Sequence, residues 1–140
     1  MFKLVKFVNG RINTSEPRFI TLTTALAADV PAHVPVIIKA GALTKVDADA
    51  TSTATHMLWK DGKSGDKTVW VIDLTPDMVF ECPLTAAVAA GLGAYAEVAI
   101  ADGGTTGVAA GDGKVGAILY DSIPAGAAEG DLVRVFFKAL

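Results

Sequence analysis

Cysteine is almost absent from this 140-residue sequence, which contains only Cys82. A lone cysteine cannot form a disulfide within the chain, so we expect synthesis in a reducing cytoplasm. The sequence also shows no secretion signal, that is, a basic segment followed by an apolar run and a small-residue cleavage site. Its longest uncharged apolar stretch, between Glu81 and Glu97, is broken by Pro83 and Gly91 and is too short to cross a bilayer.

Basic residues are too few for a protein that binds nucleic acid. The net charge is -3 and the pI about 5.2, whereas neutralising phosphates requires clustered Lys and Arg. The charges are unevenly distributed, because residues 1–46 carry six basic and two acidic groups and residues 47–140 carry six basic and thirteen acidic groups. The basic front segment suits contact with an acidic partner surface, and ordinary solvation explains the asymmetry equally well.

Large side chains are also scarce. Aromatic residues make up 7% of the chain, which has 24 alanines and 14 glycines. Small side chains bury little area each, so we expect a thin core that is supported by assembly into a homo-oligomer.

Motifs for catalysis or metal binding are missing. His33 and His56 match no zinc-ligand spacing and are predicted to be ordinary surface or turn histidines. Cys82 lies in an apolar strand, which predicts a buried, unreactive thiol. Residues 91–96 fit the dinucleotide pattern G-x-G-x-x-A, yet they follow a helix-like run instead of a strand, so they are interpreted as a helix-to-strand connector. The sequence therefore predicts no enzyme, no metal and no cofactor.

Short β-like runs separated by turn formers occupy most of the chain. The predicted strands are 19–23, 36–39, 55–60, 68–74, 77–82, 97–101, 105–110, 114–121 and 132–138. Asp61-Gly62 and Asp112-Gly113 are predicted as tight hairpin turns, the second joining 105–110 to 114–120. Thr85 is a candidate N-cap for one short helix over 86–90, which Gly91 or Gly93 would end.

Two parts of the sequence resemble each other, residues 41–74 and residues 103–137. The matching residues include Met57-Leu58-Trp59 with Ile118-Leu119-Tyr120, and Val69 and Val71 with Val133 and Val135. We interpret this as an internal duplication. The predicted fold is mainly β, a small β-barrel or sandwich of two hairpin-rich units with one short helix and an extended N-terminal arm. The arm is residues 1–35, and residues 36–140 form a single β domain.

The N-terminal arm is too apolar for a disordered tail. Its first strand either joins the chain's own sheet or adds to a strand of a neighbouring protein. The residues predicted to make the second kind of contact are Phe2, Lys3, Leu4, Val5, Lys6, Phe7, Val8, Arg11 and Ile12. Trp59 is a candidate interface residue at the rim, while Trp70 alternates with Ile72 and is predicted to pack in the core.

Two stretches carry a resemblance to a known family, namely Val69-Trp70-Val71-Ile72-Asp73-Leu74-Thr75-Pro76-Asp77-Met78-Val79-Phe80-Glu81-Cys82-Pro83-Leu84 and Gly130-Asp131-Leu132-Val133-Arg134-Val135-Phe136-Phe137. Over residues 36–140 the chain resembles, in overall style, the capsid decoration (cement) proteins of tailed bacteriophages. The resemblance implies a β module that binds the outer surface of an expanded icosahedral capsid, commonly as a trimer, after synthesis in the host cytoplasm.

By the same resemblance, the partner is the phage major capsid protein, whose neighbouring subunits the protein would staple together. The N-terminal arm would join a capsid-protein strand, as arms of several family members do. The alternative is a non-catalytic β module of a phage tail or host-interaction component that binds a small molecule or glycan near Trp59.

Overall fold

The structure, a computed structural model, describes residues 2–7, 16–46, 54–101, 107–110 and 116–137, with only the backbone of Lys6 and Phe7. Within these ranges the chain forms β-strands and no helix, which confirms the mainly β prediction. The strands are β1 (Lys3–Phe7), β2 (Arg18–Thr21), β3 (Pro35–Lys39), β4 (Ala42–Lys45), β5 (His56–Leu58), β6 (Thr68–Asp73), β7 (Met78–Pro83), β8 (Glu97–Ala101), β9 (Gly107–Ala110), β10 (Ala117–Leu119) and β11 (Leu132–Phe136).

The strands form two antiparallel sheets in a sandwich-like arrangement. One sheet has six strands in the order β1-β7-β11-β10-β8-β9, and the other has five in the order β2-β6-β5-β3-β4. The six-stranded sheet curls until Val108 of β9 meets Leu84, just after β7, in an isolated parallel bridge. The Thr85 N–H also donates to the Val108 carbonyl at 2.9 Å. These contacts do not continue into a ladder, so the sheet is not closed into a barrel.

The two sheets repeat one topology. The spatial order β7-β11-β10-β8-β9 in the six-stranded sheet matches the order β2-β6-β5-β3-β4 in the other sheet, when the strands of each set are numbered along the chain. The registers correspond as well, since Val36 pairs with Lys45 and Val98 pairs with Ala110 at equivalent places. We call residues 16–74 the first unit and residues 78–137 the second unit. The shared topology covers longer segments than the predicted duplication of residues 41–74 and 103–137. The duplication itself stays a prediction about ancestry.

Each unit contains an irregular segment of bends and turns with an apolar residue at every fourth position. In the second unit, the Val88 N–H donates to the Ala127 carbonyl and the Leu92 N–H donates to the Ile123 carbonyl, each at 2.9 Å. Those bonds replace the i to i−4 bonds of a helix, so the helix predicted over 86–90 is wrong. The fourth-position residues are Leu22, Leu26, Val30 and Val34 in the first unit and Leu84, Val88, Leu92 and Ala96 in the second.

The predicted hairpins are not present among the described residues. Strands β9 and β10 are not neighbours, because both pair with β8 on opposite sides. The Asp112-Gly113 turn itself lies outside the described residues. Gly62 also makes no hairpin turn, since its N–H and C=O both bond to Val30 at 2.8 and 2.9 Å. The positive φ that was predicted for the turn at Gly62 is found at Gly65, where it is 91°.

The core consists of two clusters of buried residues, one of which spans both sheets. Its larger cluster combines Met57 and Ile72 of the five-stranded sheet with Phe80 and Leu119 of the six-stranded sheet. Cys82 belongs to this cluster with 1% of its surface exposed, which confirms that it is buried. Burial raises the pKa of the Cys82 thiol to about 12, so the nucleophilic thiolate is not formed at neutral pH.

Candidate functional site

Strand β1 pairs with the chain's own sheet, the first of the two alternatives for the N-terminal arm. It lies antiparallel to β7 at the edge of the six-stranded sheet, with Lys3 opposite Glu81 and Leu4 opposite Phe80. Phe2 is 1% exposed, and its ring packs 5.5 Å from that of Phe137. It therefore anchors β1 to the body and presents no free contact surface. The predicted contact residues Val8, Arg11 and Ile12 lie outside the described residues.

The outer edge of β1 has open backbone groups at Leu4. In antiparallel strands, hydrogen-bonded and non-bonded pairs alternate. The Leu84 N–H points towards β11, because it donates to the Asp131 carbonyl at 2.9 Å. Alternation along the strand then makes the N–H and C=O of Glu81 point to the opposite side, towards β1. Glu81 and Lys3 are then a bonded pair, and the N–H and C=O of Leu4 point away from β7. No described residue bonds to those two groups.

A cavity of about 410 Å³ lies beside β1. Phe2, Lys3, Leu4, His33 and Trp59 line it, so the structure brings Trp59 together with three residues predicted for the N-terminal arm. The His33 and Trp59 rings meet edge to face at 5.5 Å, and the His33 carbonyl accepts a hydrogen bond from the Phe2 N–H at 3.4 Å. The cavity wall is mainly apolar, and the Lys3 side chain is exposed at its mouth.

His33 is a lining residue that sequence reasoning missed. It lies in a turn before β3 and has a φ of 64°, an uncommon value for a residue with a side chain. Tyr95, at the equivalent turn of the second unit, has a φ of 65°. Because both units share this backbone conformation, it belongs to the repeated turn and is no evidence for a special role of His33.

A second cavity, of about 440 Å³, lies over the outer face of β7 and β11 and is lined by Glu81, Asp121, Asp131 and Arg134, among others. Glu81 faces Arg134 on one side and Lys3 on the other, so basic and acidic residues alternate across β1, β7 and β11. The lining mixes charged and apolar side chains and does not include Trp59. We therefore place the candidate site at β1 and its apolar cavity.

A second group that the sequence did not reveal joins three strands of the first unit. Arg18 binds Asp73 through two hydrogen bonds, from Nε at 3.1 Å and from Nη2 at 2.9 Å. When the His56 ring is neutral, its Nε2 donates to the same carboxylate at 2.8 Å and its Nδ1 accepts from the Thr55 hydroxyl at 2.7 Å. His56 is thus a half-buried strand residue, and its prediction as a surface or turn histidine is wrong.

This network makes the stability of the fold depend on pH. Burial lowers the pKa of His56 although Asp73 opposes the shift, and the bond from Arg18 lowers the pKa of Asp73. For both groups the unfolded chain takes up the proton first as the pH falls. Stability is therefore lost below about pH 6.5 as His56 titrates, and again below about pH 4 as Asp73 titrates.

We expect the free energy of unfolding, measured with urea from pH 8 to pH 3, to decline in these two steps. The His56 step has a slope of less than about 1.4 kcal/mol per pH unit, the limit for one proton. In His56→Gln the upper step should vanish while the lower step remains. An unchanged upper step in that variant contradicts the assignment.

Trp70 lies on the same face of the five-stranded sheet as Ile72, but it is only half-buried and belongs to neither core cluster, so its prediction as a core residue is wrong. Its ring meets that of Phe19 edge to face at 4.0 Å, and the Lys60 ammonium lies 5.2 Å from its centroid. Phe19 is 63% exposed at the edge strand β2. The sheet thus presents an aromatic surface next to an edge.

Neither protein-family models nor curated protein sequences match the chain. In the described part of the chain, no three or more His, Cys, Asp and Glu side chains converge as metal ligands. The same part contains no helix that is both long and apolar enough to span a membrane. The fold and site define an all-β, two-unit sandwich in which residues 1–35 supply an edge strand to each sheet.

Proposed function

We propose that this protein is a non-catalytic structural protein that binds the outer surface of an icosahedral phage capsid and staples neighbouring subunits of the major capsid protein. The observation that supports this proposal best is the position of β1 at the edge of the six-stranded sheet. An edge strand with open backbone groups can extend its sheet into a neighbouring protein by strand addition. The resemblance of residues 36–140 to decoration proteins supplies the identity of the partner.

The proposed contact forms at the outer edge of β1. The Leu4 N–H and C=O provide the backbone hydrogen bonds, and the exposed Lys3 ammonium lies close by for an acidic partner. A short strand pair is weak alone. Assembly as a trimer multiplies it, because several such contacts on one capsid raise the effective concentration of each.

Deleting residues 1–35 is a poor test of this proposal. The deletion removes β1 and β2 together with Leu22, Leu26 and Val34, all of which are buried. Loss of binding would then report unfolding. A single substitution at the open edge avoids that problem.

The test compares wild type, Leu4→Pro and Leu4→Ala in co-sedimentation with expanded capsids of the phage that encodes the protein. Both variants lose the Leu4 side chain, but only proline also removes the outward N–H. We expect wild type to saturate capsids at a copy number near that of the major capsid protein. We expect Leu4→Pro to bind at least about tenfold more weakly than Leu4→Ala, the effect of about 1.4 kcal/mol.

Two results would count against the proposal in different ways. Wild-type protein that stays in the supernatant contradicts capsid binding altogether. Equal binding by the proline and alanine variants, at equal thermal stability, contradicts strand addition at β1 and leaves capsid binding standing.

The cavity beside β1 favours a second candidate function, the binding of a small molecule or glycan. Its volume of about 410 Å³ and its Phe2, His33 and Trp59 rings suit an apolar or sugar ring. This function needs no outward backbone group at Leu4. If wild-type protein leaves capsids bare, the cavity becomes the favoured site.

A further inference from the structure

The outer edge of β2 is where the two units differ. In the second unit β1 pairs with the outer edge of β7, whereas in the first unit β2 takes the place of β7 and no described strand lies beyond it. The registers make Arg18 equivalent to Phe80 and Phe19 equivalent to Glu81. The first unit therefore has a strand position that its counterpart fills and that the described chain leaves open.

The backbone of β2 offers hydrogen bonds at this edge. The Leu22 N–H donates to the Lys67 carbonyl at 2.6 Å, so this pair is a bonded one. Alternation along the strand makes the pairs of β6 with Phe19 and Thr21 non-bonded. In agreement, the Trp70 carbonyl accepts a hydrogen bond at 2.8 Å from the other side of β6. The N–H and C=O groups of Phe19 and Thr21 thus point outward, and no described residue bonds to them.

The side chains at this edge differ on its two faces. On the face shared with Trp70, Phe19 is 63% exposed and its ring packs against that of Trp70, which offers apolar contact to a neighbouring side chain. On the other face the Arg18 side chain is 55% exposed. Asp73 occupies Nε and Nη2 of Arg18, so the Nη1 protons remain for a second carboxylate.

This chemistry argues against β1 of a second copy as the occupant. In its pairing with β7, β1 places Lys3 opposite Glu81 and Leu4 opposite Phe80. The first pair is oppositely charged and the second is apolar, so both are favourable. The same register on β2 would place Lys3 opposite Phe19 and Leu4 opposite Arg18. Neither pair matches, so the complementary strand is different from β1.

We propose that the outer edge of β2 accepts an extended strand of a partner protein in which a carboxylate side chain faces Arg18 and the adjacent apolar side chain faces Phe19. Backbone bonds to Phe19 and Thr21 hold the strand, and the two side chains determine its selection. The proposal does not depend on capsid binding, since any partner with such a segment fits.

The test uses amide NMR of the full chain and an eight-residue valine–threonine peptide with one central glutamate. Its control peptide has lysine at that position. We expect saturable shifts of the Phe19 and Thr21 amides with the glutamate peptide, and binding at least about fivefold weaker with the lysine peptide. Thr21→Pro removes an outward N–H while keeping the pairing with β6, and it should weaken glutamate-peptide binding at least about tenfold relative to Thr21→Ala.

Four outcomes would overturn the proposal. The first is the absence of shifts at Phe19 and Thr21 with the glutamate peptide at millimolar concentration. The second is equal binding of the two peptides, which removes the role of Arg18. The third is equal binding by Thr21→Pro and Thr21→Ala. The fourth is an oligomer that sedimentation detects in the absence of peptide and that dissociates in Thr21→Pro but not in Thr21→Ala. That result would assign the edge to a second copy of this chain.

Discussion

Replacing Phe2 with alanine is expected to lower the free energy of unfolding by about 3 to 5 kcal/mol. Phe2 is 1% exposed and packs against Phe137, which in turn meets the Phe80 ring edge to face at 5.3 Å. Truncation opens a cavity under β1 that this aromatic cluster cannot fill. Urea denaturation of wild type and variant measures the difference.

The matched control is Phe19→Ala, which removes the same atoms from a side chain that is 63% exposed. Its expected cost is about 1 kcal/mol, from the lost contact with Trp70. A cost below about 1 kcal/mol for Phe2→Ala would mean that β1 does not dock on the body. The N-terminal arm would then be free to add to a neighbour with both edges of β1, so this measurement also bears on the mode of capsid binding.

The strands themselves were the most predictable part of the fold. Short β-like runs bounded by turn formers located β3, β6, β8 and β11 within a residue or two. The same pattern does not say which strands are neighbours. Asp112-Gly113 suggested a local hairpin, but β8 separates β9 from β10 because each unit repeats a non-local order.

The helix error has a physical cause that the sequence did contain. Apolar residues at every fourth position, as in Leu84, Val88 and Leu92, fit a helix face as well as they fit the irregular segment of bends and isolated bridges that is observed. The distinguishing signal is the same spacing in Leu22, Leu26 and Val30, a segment that Pro31 ends. Comparing the two segments would have favoured a non-helical structure for both.

The candidate site was only partly accessible from sequence. The apolar N-terminus identified Phe2 and Leu4, and the position of Trp59 near a turn suggested a rim. Nothing local connects His33 or the bond between Arg18 and Asp73 to these residues, because pairing of distant strands creates those contacts. The edge positions of β1 and β2 are likewise properties of the assembled sheets.

The curl of the six-stranded sheet yields the second large effect. Gly107 begins β9 beside the end of β7, and a Cβ at this position would lie 2.0 Å from the Pro83 carbonyl oxygen. That oxygen is backbone and cannot swing away as a side chain would. Gly107→Ala must therefore push β9 from β7 and strain the bridge between Leu84 and Val108. We expect a loss of about 3 kcal/mol or more, measured by thermal and urea unfolding.

Gly93→Ala is the control for this substitution, because Gly93 is exposed and a Cβ there meets nothing within 4 Å. Its φ is not positive, so alanine should leave stability unchanged or raise it by about 0.4 to 1 kcal/mol. Similar, small effects of both substitutions would show that β9 does not approach β7 this closely. The sheet would then be open, and β9 would become a further edge available to a partner strand.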